Sequence, residues 1–180
     1  MFHKSLRPGL ELRQLEERDA SAALKAIDRD RADLRRWLVW VDRNTSLDDT
    51  LTFIRAELEK HAATGEIAAG IWVEQQLAGT IGTHLIDRLN RKVEIGYWLG
   101  TPFRGRGVMT GACRAAVEYC FRVLDLNRVE IRCAAGNQAS RAIPVRLGFT
   151  HEATLREAQL LYGTYHDLEI WSMLRKDFRD

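Results

Sequence analysis

A short segment of the chain combines glycines and arginines in a way that suits binding of a phosphorylated ligand. Residues 104–107 read Arg-Gly-Arg-Gly and lie between an apolar run, Val93 to Leu99, and an amphipathic pattern that begins at Val108. This order predicts a strand, a turn and a helix. Backbone N–H groups in such a turn converge at the positive end of the helix dipole, and glycine leaves room for an anion. The segment therefore predicts an anion-binding loop. The alternative is a surface turn that only caps the helix.

Two familiar phosphate-binding loops do not fit this segment. A Walker loop requires Lys and then Ser or Thr after its last glycine, whereas Arg106 and Gly107 follow Gly105. A dinucleotide-binding loop requires a third glycine three residues after Gly107, where Thr110 stands. The predicted ligand is therefore an anion held in neither of these two ways.

A second group of polar residues stands at the start of a short predicted helix. Asn137 is a favourable cap for a helix from Gln138 to about Leu147, and Ser140 is the third residue of that helix. A hydroxyl at this position often takes part in local capping. It is also exposed to whatever binds at the helix N-terminus, so Ser140 is a candidate for chemistry as well as for capping.

Composition and charge exclude several classes of protein. The chain has 180 residues and a net charge of +2, with no long basic stripe, which argues against nucleic acid as a partner. No apolar run approaches the length of about 20 residues that crosses a bilayer, and the segment Met1 to Gly9 does not resemble a signal peptide. We therefore expect a cytoplasmic protein with no membrane partner.

Neither the cysteines nor the histidines show the spacing of a metal site. Cys113, Cys120 and Cys133 lack Cys-x-x-Cys spacing, and the five histidines are scattered along the chain. We interpret the cysteines as small core residues in a reducing compartment and expect no metal.

Hydrophobic periodicity predicts an alternation of helices and strands that fits one mixed sheet. The predicted strands cover residues 10–15, 67–74, 77–86, 92–99, 128–134, 150–159 and 165–174. The predicted helices cover residues 20–29, 108–124 and 138–147, with a helical piece around Trp37 and a longer helix that starts at Ser46 or Asp48 and ends near His61. Asp19 is the expected cap of the first helix, and Trp37 is expected in the core, while Trp40 stays open between core and substrate channel. The order places helices on both faces of the sheet.

Five motifs in order resemble the Gcn5-related N-acetyltransferase (GNAT) superfamily, and within it the RimJ/RimL branch of ribosomal-protein N-terminal acetyltransferases. They are Ile95–Leu99, the Arg104–Met109 loop with the pattern Arg-x-x-Gly-x-Gly/Ala, Asn137–Ser140, Leu147–Phe149 and Tyr162–Asp167. Met109 departs from the pattern, because the family usually has Gly or Ala there. The resemblance implies an α+β fold, with a mixed, mostly antiparallel sheet of about six to seven strands and helices on both faces. It also implies a single N-acetyltransferase domain over residues 1–180.

The resemblance further implies an enzyme that transfers acetyl from acetyl-CoA to a polypeptide N-terminal α-amine, with a ribosomal protein as the expected acceptor. The pyrophosphate would bind the loop amides, the pantetheine arm would lie along the strand end, and Ser140 would give a proton to the departing thiolate. A backbone N–H near Leu99 would bind the thioester oxygen. The implied cofactor-binding residues are Trp98, Leu99, Arg104, Gly105, Arg106, Gly107, Val108, Met109, Asn137 and Ser140.

The base that removes a proton from the amine is less clearly marked. RimL-like members can carry Glu where this chain has Gln159, and an amide cannot take a proton. Glu157 lies two residues earlier, which in a regular strand places it on the same face, so Glu157 is the candidate catalytic base. Glu94 is a second candidate, and both carboxylates could equally be solvated strand residues.

Other classes of function stay open at this stage. The same fold could acetylate a small-molecule amine, or the chain could be a non-catalytic CoA-binding or ribosome-associated module, an alternative that Gln159 keeps open. The expected partners are acetyl-CoA and a protein N-terminus, and a homodimer is compatible with the sequence.

Overall fold

The computed structural model describes residues 2–179, which form one eight-stranded sheet flanked by four α-helices. The strand order is β1-β2-β3-β4-β5-β6-β8-β7, and only the β5–β6 pair is parallel. The strands are β1 His3–Arg7, β2 Leu10–Gln14, β3 Ala68–Val73, β4 Gln76–Asp87, β5 Lys92–Leu99, β6 Arg128–Ala134, β7 Thr150–Leu161 and β8 Thr164–Leu174. The helices are α1 Ala20–Leu34, α2 Leu47–Thr64, α3 Val108–Arg122 and α4 Gln138–Leu147.

The predicted fold class is confirmed, although the sheet has one strand more than the upper end of the predicted range. The additional strand is β1, whose five residues alternate between exposed and half-buried. A short polar edge strand buries too little apolar surface to leave a periodic signal in the sequence. That is why sequence reasoning passed over it.

Two apolar clusters, one on each face of the sheet, hold the layers together. Helices α1 and α2 cover the first half of the sheet, where Leu15, Ile27, Ile54 and Trp98 are buried. The larger cluster lies under α3 and α4, with members such as Leu12, Ile71, Ile95, Phe121, Ile131 and Trp171. All three cysteines are buried and free, as expected for small core residues.

The predicted cap at Asp19 is wrong in its detail. The Asp19 carboxylate does not bond the first turn of α1. It accepts the Glu16 N–H at 3.0 Å and an Arg13 N–H at 3.2 Å, and so closes the 3-10 turn Glu17–Asp19 that precedes the helix. Of the two starts considered for α2, Ser46 is the one that caps the helix, and it forms a capping box with Asp49.

The two parallel strands in the middle of the sheet separate after three residues. Lys92, Val93 and Glu94 of β5 pair with Arg128, Val129 and Glu130 of β6, and the two strands do not pair with each other beyond that point. β5 continues to Leu99 beside β4, while β6 continues to Ala134 beside β8. The result is a V-shaped gap between the ends of β5 and β6, which we call the strand gap.

Candidate active site

A cavity of about 630 Å³ opens over the strand gap, between the N-terminal ends of α3 and α4. Its lining comes from four parts of the chain: the end of α1 and the residues after it (33–34 and 36–38), the end of β5 (97–99), the loop into α3 (103–105 and 107–110), and the start of α4 (136–140, 142–143 and 146). The sequence singled out two motifs, the Arg104–Met109 loop, which we call the glycine loop, and the Asn137–Ser140 turn. Both therefore face one space.

The glycine loop has the backbone conformation that an anion cradle requires. Gly105 and Gly107 have φ angles of +73° and +72°, in the left-handed region that residues with a Cβ rarely adopt. A Cβ on either residue would meet no atom within 4 Å, so the space beside the loop is open. Gly107 occupies the N-cap position of α3 and has no side chain to cover the first helical amides. These amides are therefore available to an anion.

The structure places the two arginines of the loop differently, with Arg104 in the cavity lining and the Arg106 side chain outside it. The Arg104 guanidinium donates to the Leu99 carbonyl at 3.0 Å and pairs with the Asp33 carboxylate at 2.5 Å. These two contacts join the loop to β5 and to α1. The Arg106 carbonyl accepts a bond from Arg7, and the Arg106 side chain is absent from the described lining of the cavity. The other nine predicted cofactor-binding residues all line it.

Ser140 lies in the cavity, and its hydroxyl is not used for capping. Asn137 caps α4 through its side-chain oxygen, which accepts the Ser140 N–H at 3.2 Å. The Ser140 hydroxyl lies 3.3 Å from the Tyr97 hydroxyl, which donates to the Ser140 carbonyl at 3.1 Å. The helix end is thus satisfied without the serine hydroxyl, which donates to the Tyr97 hydroxyl instead.

Tyr97 is the residue of the site that sequence reasoning missed. Burial raises its pKa well above the usual value for a phenol, so its hydroxyl stays protonated and serves as a donor. Alternation along β5 places Tyr97 on the same face as Val93 and Ile95. That periodicity marks an ordinary core position, and only the position of α4 shows that the hydroxyl meets Ser140.

Backbone groups at the end of β5 face the strand gap. The Gly100 N–H donates to the Ala78 carbonyl across the β4–β5 pair at 2.8 Å. Since alternate residues of an antiparallel strand face the same neighbour, the Tyr97 and Leu99 N–H groups point away from β4 and toward the gap. They are free to bond an extended chain laid beside β5, as an added strand would.

Trp37 is not the core residue that was expected. It is half-buried, lines the cavity, and packs against Gly136 and the His166 ring, with ring centroids 6.2 Å apart. Trp40 is more exposed and lies against Trp98, at a centroid distance of 6.4 Å. A helix-like pattern could not separate these positions, because Trp37 lies in the turn after α1 and Trp40 in a short 3-10 helix, Val39–Arg43, so the two do not share one helical face.

Glu157 does not lie where a regular strand would place it. Leu155 pairs with Leu168 and Gln159 with His166, so a bulge of three residues opposes Asp167 alone. Glu157 has a φ of 51°, is exposed, and donates its N–H to Asp167. The inference that it shares a strand face with Gln159 is therefore wrong, and its role as a base stays a prediction.

Glu94 lies where β5 and β6 begin to separate. Burial raises the pKa of its carboxyl, against the opposing effect of Arg132, whose Nε lies 3.3 Å away. A partly buried carboxylate with a raised pKa is a candidate proton acceptor. Neither Glu94 nor Glu157 is part of the described lining, so either one would act through water.

A family model described as an acetyltransferase (GNAT) domain matches residues 9–150. The chain belongs to the GNAT acetyltransferase family. It is 36% identical over 179 residues to a putative ribosomal N-acetyltransferase, YdaF, of Bacillus subtilis (strain 168), with 99% of this chain and 98% of that protein covered.

Two solved structures extend this GNAT relationship. RimL, a ribosomal L7/L12 alpha-N-protein acetyltransferase in complex with coenzyme A, is 29% identical with a TM-score of 0.91, over 94% of this chain and 96% of RimL. MccE, a microcin C7 self-immunity acetyltransferase in complex with acetyl-CoA and AMP, is 25% identical with a TM-score of 0.88, over 94% of each chain. The predicted resemblance to the RimJ/RimL branch is confirmed.

The protein is thus an N-acetyltransferase that uses acetyl-CoA. Within residues 2–179, no group of three or more His, Cys, Asp or Glu side chains could hold a metal ion. None of the helices between those limits is both long and apolar enough to cross a bilayer.

Proposed function

We propose that this enzyme acetylates the N-terminal α-amine of a polypeptide, and that the polypeptide is a ribosomal protein. The observation that carries the transfer chemistry is the Ser140–Tyr97 hydroxyl pair, which lies in the same cavity as the glycine loop. The names of YdaF and RimL support the ribosomal acceptor. A ribosomal acceptor in turn places the reaction in the cytoplasm.

Each residue of the site then has a defined task. Bound acetyl-CoA supplies the acetyl group as a thioester and leaves as a thiolate. The amides of residues 105–109 hold its pyrophosphate, and Asn137 is placed to bond the amides of its arm. The Leu99 N–H, directed into the strand gap, donates to the thioester oxygen as charge develops there.

Ser140 is proposed to protonate the departing sulfur and to recover its proton from water in the cavity, while the proton of the attacking amine passes to the base. Its hydroxyl is a weak acid, but a thiolate with a reference pKa of about 8.5 needs little assistance. The Tyr97 hydroxyl keeps the serine oriented, since both bonds of this pair join β5 to the first turn of α4.

The site's poor supply of bases favours an α-amine over a lysine side chain. An α-amine has a reference pKa of about 7.7–8.0, against about 10.4 for lysine. At pH 7.4 roughly a quarter of α-amines are therefore neutral, compared with about one lysine in a thousand. An enzyme whose base acts through water therefore loses little of its rate with an α-amine as acceptor and a great deal of it with lysine.

We expect peptides that carry one free α-amine and one lysine to be acetylated at the α-amine. Mass spectrometry with fragmentation locates the acetyl group, and acetylated and unacetylated N-termini serve as matched substrates. Product that carries acetyl only on lysine would contradict the proposal. Turnover with small amines but no peptide would instead indicate a small-molecule acceptor, and absence of any turnover would indicate a binding module.

The pH dependence of kcat/KM distinguishes the two candidate bases. A base must be deprotonated, and burial raises the pKa of Glu94, so activity that depends on Glu94 falls with decreasing pH before an ordinary carboxylate would protonate. We expect Glu94→Gln to lower activity and remove this acid limb. If Glu157 is the base, Glu157→Gln will lower the activity instead, with its largest effect below pH 7, where the amine is mostly protonated.

A further inference from the structure

A buried carboxylate of α1 is bonded to the segment that leads from β5 into the glycine loop. Asp30 is 7% exposed, and its Oδ1 accepts two bonds from Thr101, one from the backbone N–H at 3.1 Å and one from the hydroxyl at 2.6 Å. Its Oδ2 accepts a bond from Arg29 Nε at 2.7 Å. Both oxygens of the buried carboxylate therefore have partners, as a buried charge requires.

The two bonds from Thr101 make this carboxylate a helix cap that comes from another element. Residues Thr101–Phe103 form a 3-10 turn, closed by the Phe103 N–H and the Gly100 carbonyl at 3.1 Å. Gly100 occupies the N-cap position and has no side chain to accept the first N–H groups of the turn. Asp30, 71 positions earlier in the sequence, supplies the acceptor instead, and aspartate is among the residues best suited to capping.

The close approach of α1 explains why position 100 is a glycine. A Cβ at this position would collide with Arg29 Nη2 and would lie 2.6 Å from Asp30 Oδ2. A larger residue would therefore push the carboxylate away from Thr101. The Gly100 N–H is itself bonded to the Ala78 carbonyl of β4. The end of β5 is thus held by β4, and Asp30 acts on the residues that follow it.

The turn that Asp30 caps leads directly into the glycine loop. Phe103, its last residue, is buried, lines the cavity, and lies 5.2 Å from the Arg29 guanidinium, measured to the ring centroid. Gly105 and Gly107, both with positive φ, follow within four residues. Glycines give the loop conformational freedom, so its position depends on the contacts that hold the residues before it.

We propose that Asp30 is a positioning residue that holds the glycine loop in the conformation that binds acetyl-CoA. Neither Asp30 nor Thr101 belongs to the described lining of the cavity, so the effect reaches the cofactor through the loop backbone. The inference rests on the proposed role of the loop as the pyrophosphate site and adds to it the residue that orders the loop. Ser140 lies on α4, so the chemical step at saturating acetyl-CoA does not depend on Asp30.

The first test compares Asp30→Ala with Asp28→Ala. Asp28 lies on the same helix, is exposed and pairs with Arg31, so it is the matched control. Loss of a cap shifts a local folding equilibrium by about two- to thirtyfold, and a ligand that binds only the ordered loop loses affinity by up to that factor. In calorimetry we expect the Kd of acetyl-CoA to rise about two- to thirtyfold in Asp30→Ala and to stay unchanged in Asp28→Ala. With a peptide acceptor and saturating acetyl-CoA, the kcat of Asp30→Ala should stay within about twofold of wild type.

Thr101→Val tests the same contact with a change that preserves side-chain volume. It removes the hydroxyl bond to Asp30 and leaves the backbone N–H bond in place. We expect a smaller loss of acetyl-CoA affinity than in Asp30→Ala. In the double variant the loss should equal that of Asp30→Ala alone, because the hydroxyl contributes nothing without its acceptor. Losses that multiply would show that the two residues act separately and would overturn the proposal.

Hydrogen exchange in the ligand-free enzyme supplies a readout that needs neither acceptor nor cofactor. The Thr101, Phe103 and Arg104 amides are bonded within the turn or to its cap, so they should exchange about two- to thirtyfold faster in Asp30→Ala and at the wild-type rate in Asp28→Ala. Unchanged exchange in Asp30→Ala, or equal effects of the two variants, would overturn the cap. Faster exchange with an unchanged Kd would overturn its role in cofactor binding. If Gly107→Asp binds acetyl-CoA as wild type does, the proposed pyrophosphate site is wrong, and exchange still decides whether Asp30 holds the loop.

Discussion

Replacement of Gly107 by aspartate is expected to abolish acetyl-CoA binding. Gly107 stands at the N-cap of α3 with its Cα hydrogens toward open space, so the new carboxylate would occupy the volume proposed for the pyrophosphate. It would repel that group and would also accept hydrogen bonds from the helix N–H groups that the pyrophosphate needs. Isothermal calorimetry with acetyl-CoA measures the loss. Equal affinities in wild type and variant would contradict the predicted loop function.

Gly107→Asn is the matched control for this variant. Asparagine has nearly the same size as aspartate, tolerates a φ of +72° better than most residues, and carries no charge. We expect it to weaken binding much less than aspartate does. Equal losses in the two variants would mean that steric blockage or loop strain, and not charge, explains the effect. Circular dichroism of both variants checks that the fold is retained.

The loop illustrates what the sequence could predict. The conformation of residues 104–107 depends on local rules, because glycines permit positive φ and a helix start exposes amides whatever lies elsewhere. The open backbone conformation of this loop was therefore predictable from the chain alone. The role of Arg104 was not, since it depends on Asp33, which lies 71 positions earlier in the sequence.

The β7–β8 hairpin shows the opposite case. Strand periodicity is a reliable guide only while the pairing is regular, and the bulge between Leu155 and Gln159 interrupts it. No residue type in that stretch marks a bulge, so the position of Glu157 could not be derived. The prediction that Trp37 lies in the core failed for a related reason. The pattern that suggested a buried helical face continued past the end of α1, into a turn that is not helical.

The contact between Ser140 and Tyr97 depends on tertiary structure in the same way. Each residue was visible in the sequence, one at a helix start and the other in a strand, but their meeting requires the separation of β5 from β6 and the placement of α4 above it. What the sequence did provide was the position of Ser140 in the first turn of α4, which proved to line the cavity.

Replacement of Ser140 by alanine is expected to lower kcat by roughly ten- to ten-thousandfold, with little change in the affinity for acetyl-CoA. The lower part of this range applies if the thiolate leaves with little assistance, because its reference pKa is only about 8.5. The cap of α4 is preserved, since Asn137 bonds the Ser140 N–H and not its hydroxyl. Steady-state kinetics with a peptide acceptor, alongside calorimetry with acetyl-CoA, measures the two quantities separately. An unchanged kcat would leave the hydroxyl with no part in the reaction.

Tyr97→Phe tests whether the two hydroxyls act as one unit. Phenylalanine keeps the packing of the buried ring and removes the bonds to Ser140. We expect a smaller loss of kcat than in Ser140→Ala, because the serine would still be present but less well oriented. In the double variant the loss should equal that of Ser140→Ala alone, since an orienting bond has no value without the group it orients. If the two losses multiply instead, Tyr97 acts on the reaction independently of Ser140, and its proposed role in orienting the serine is wrong.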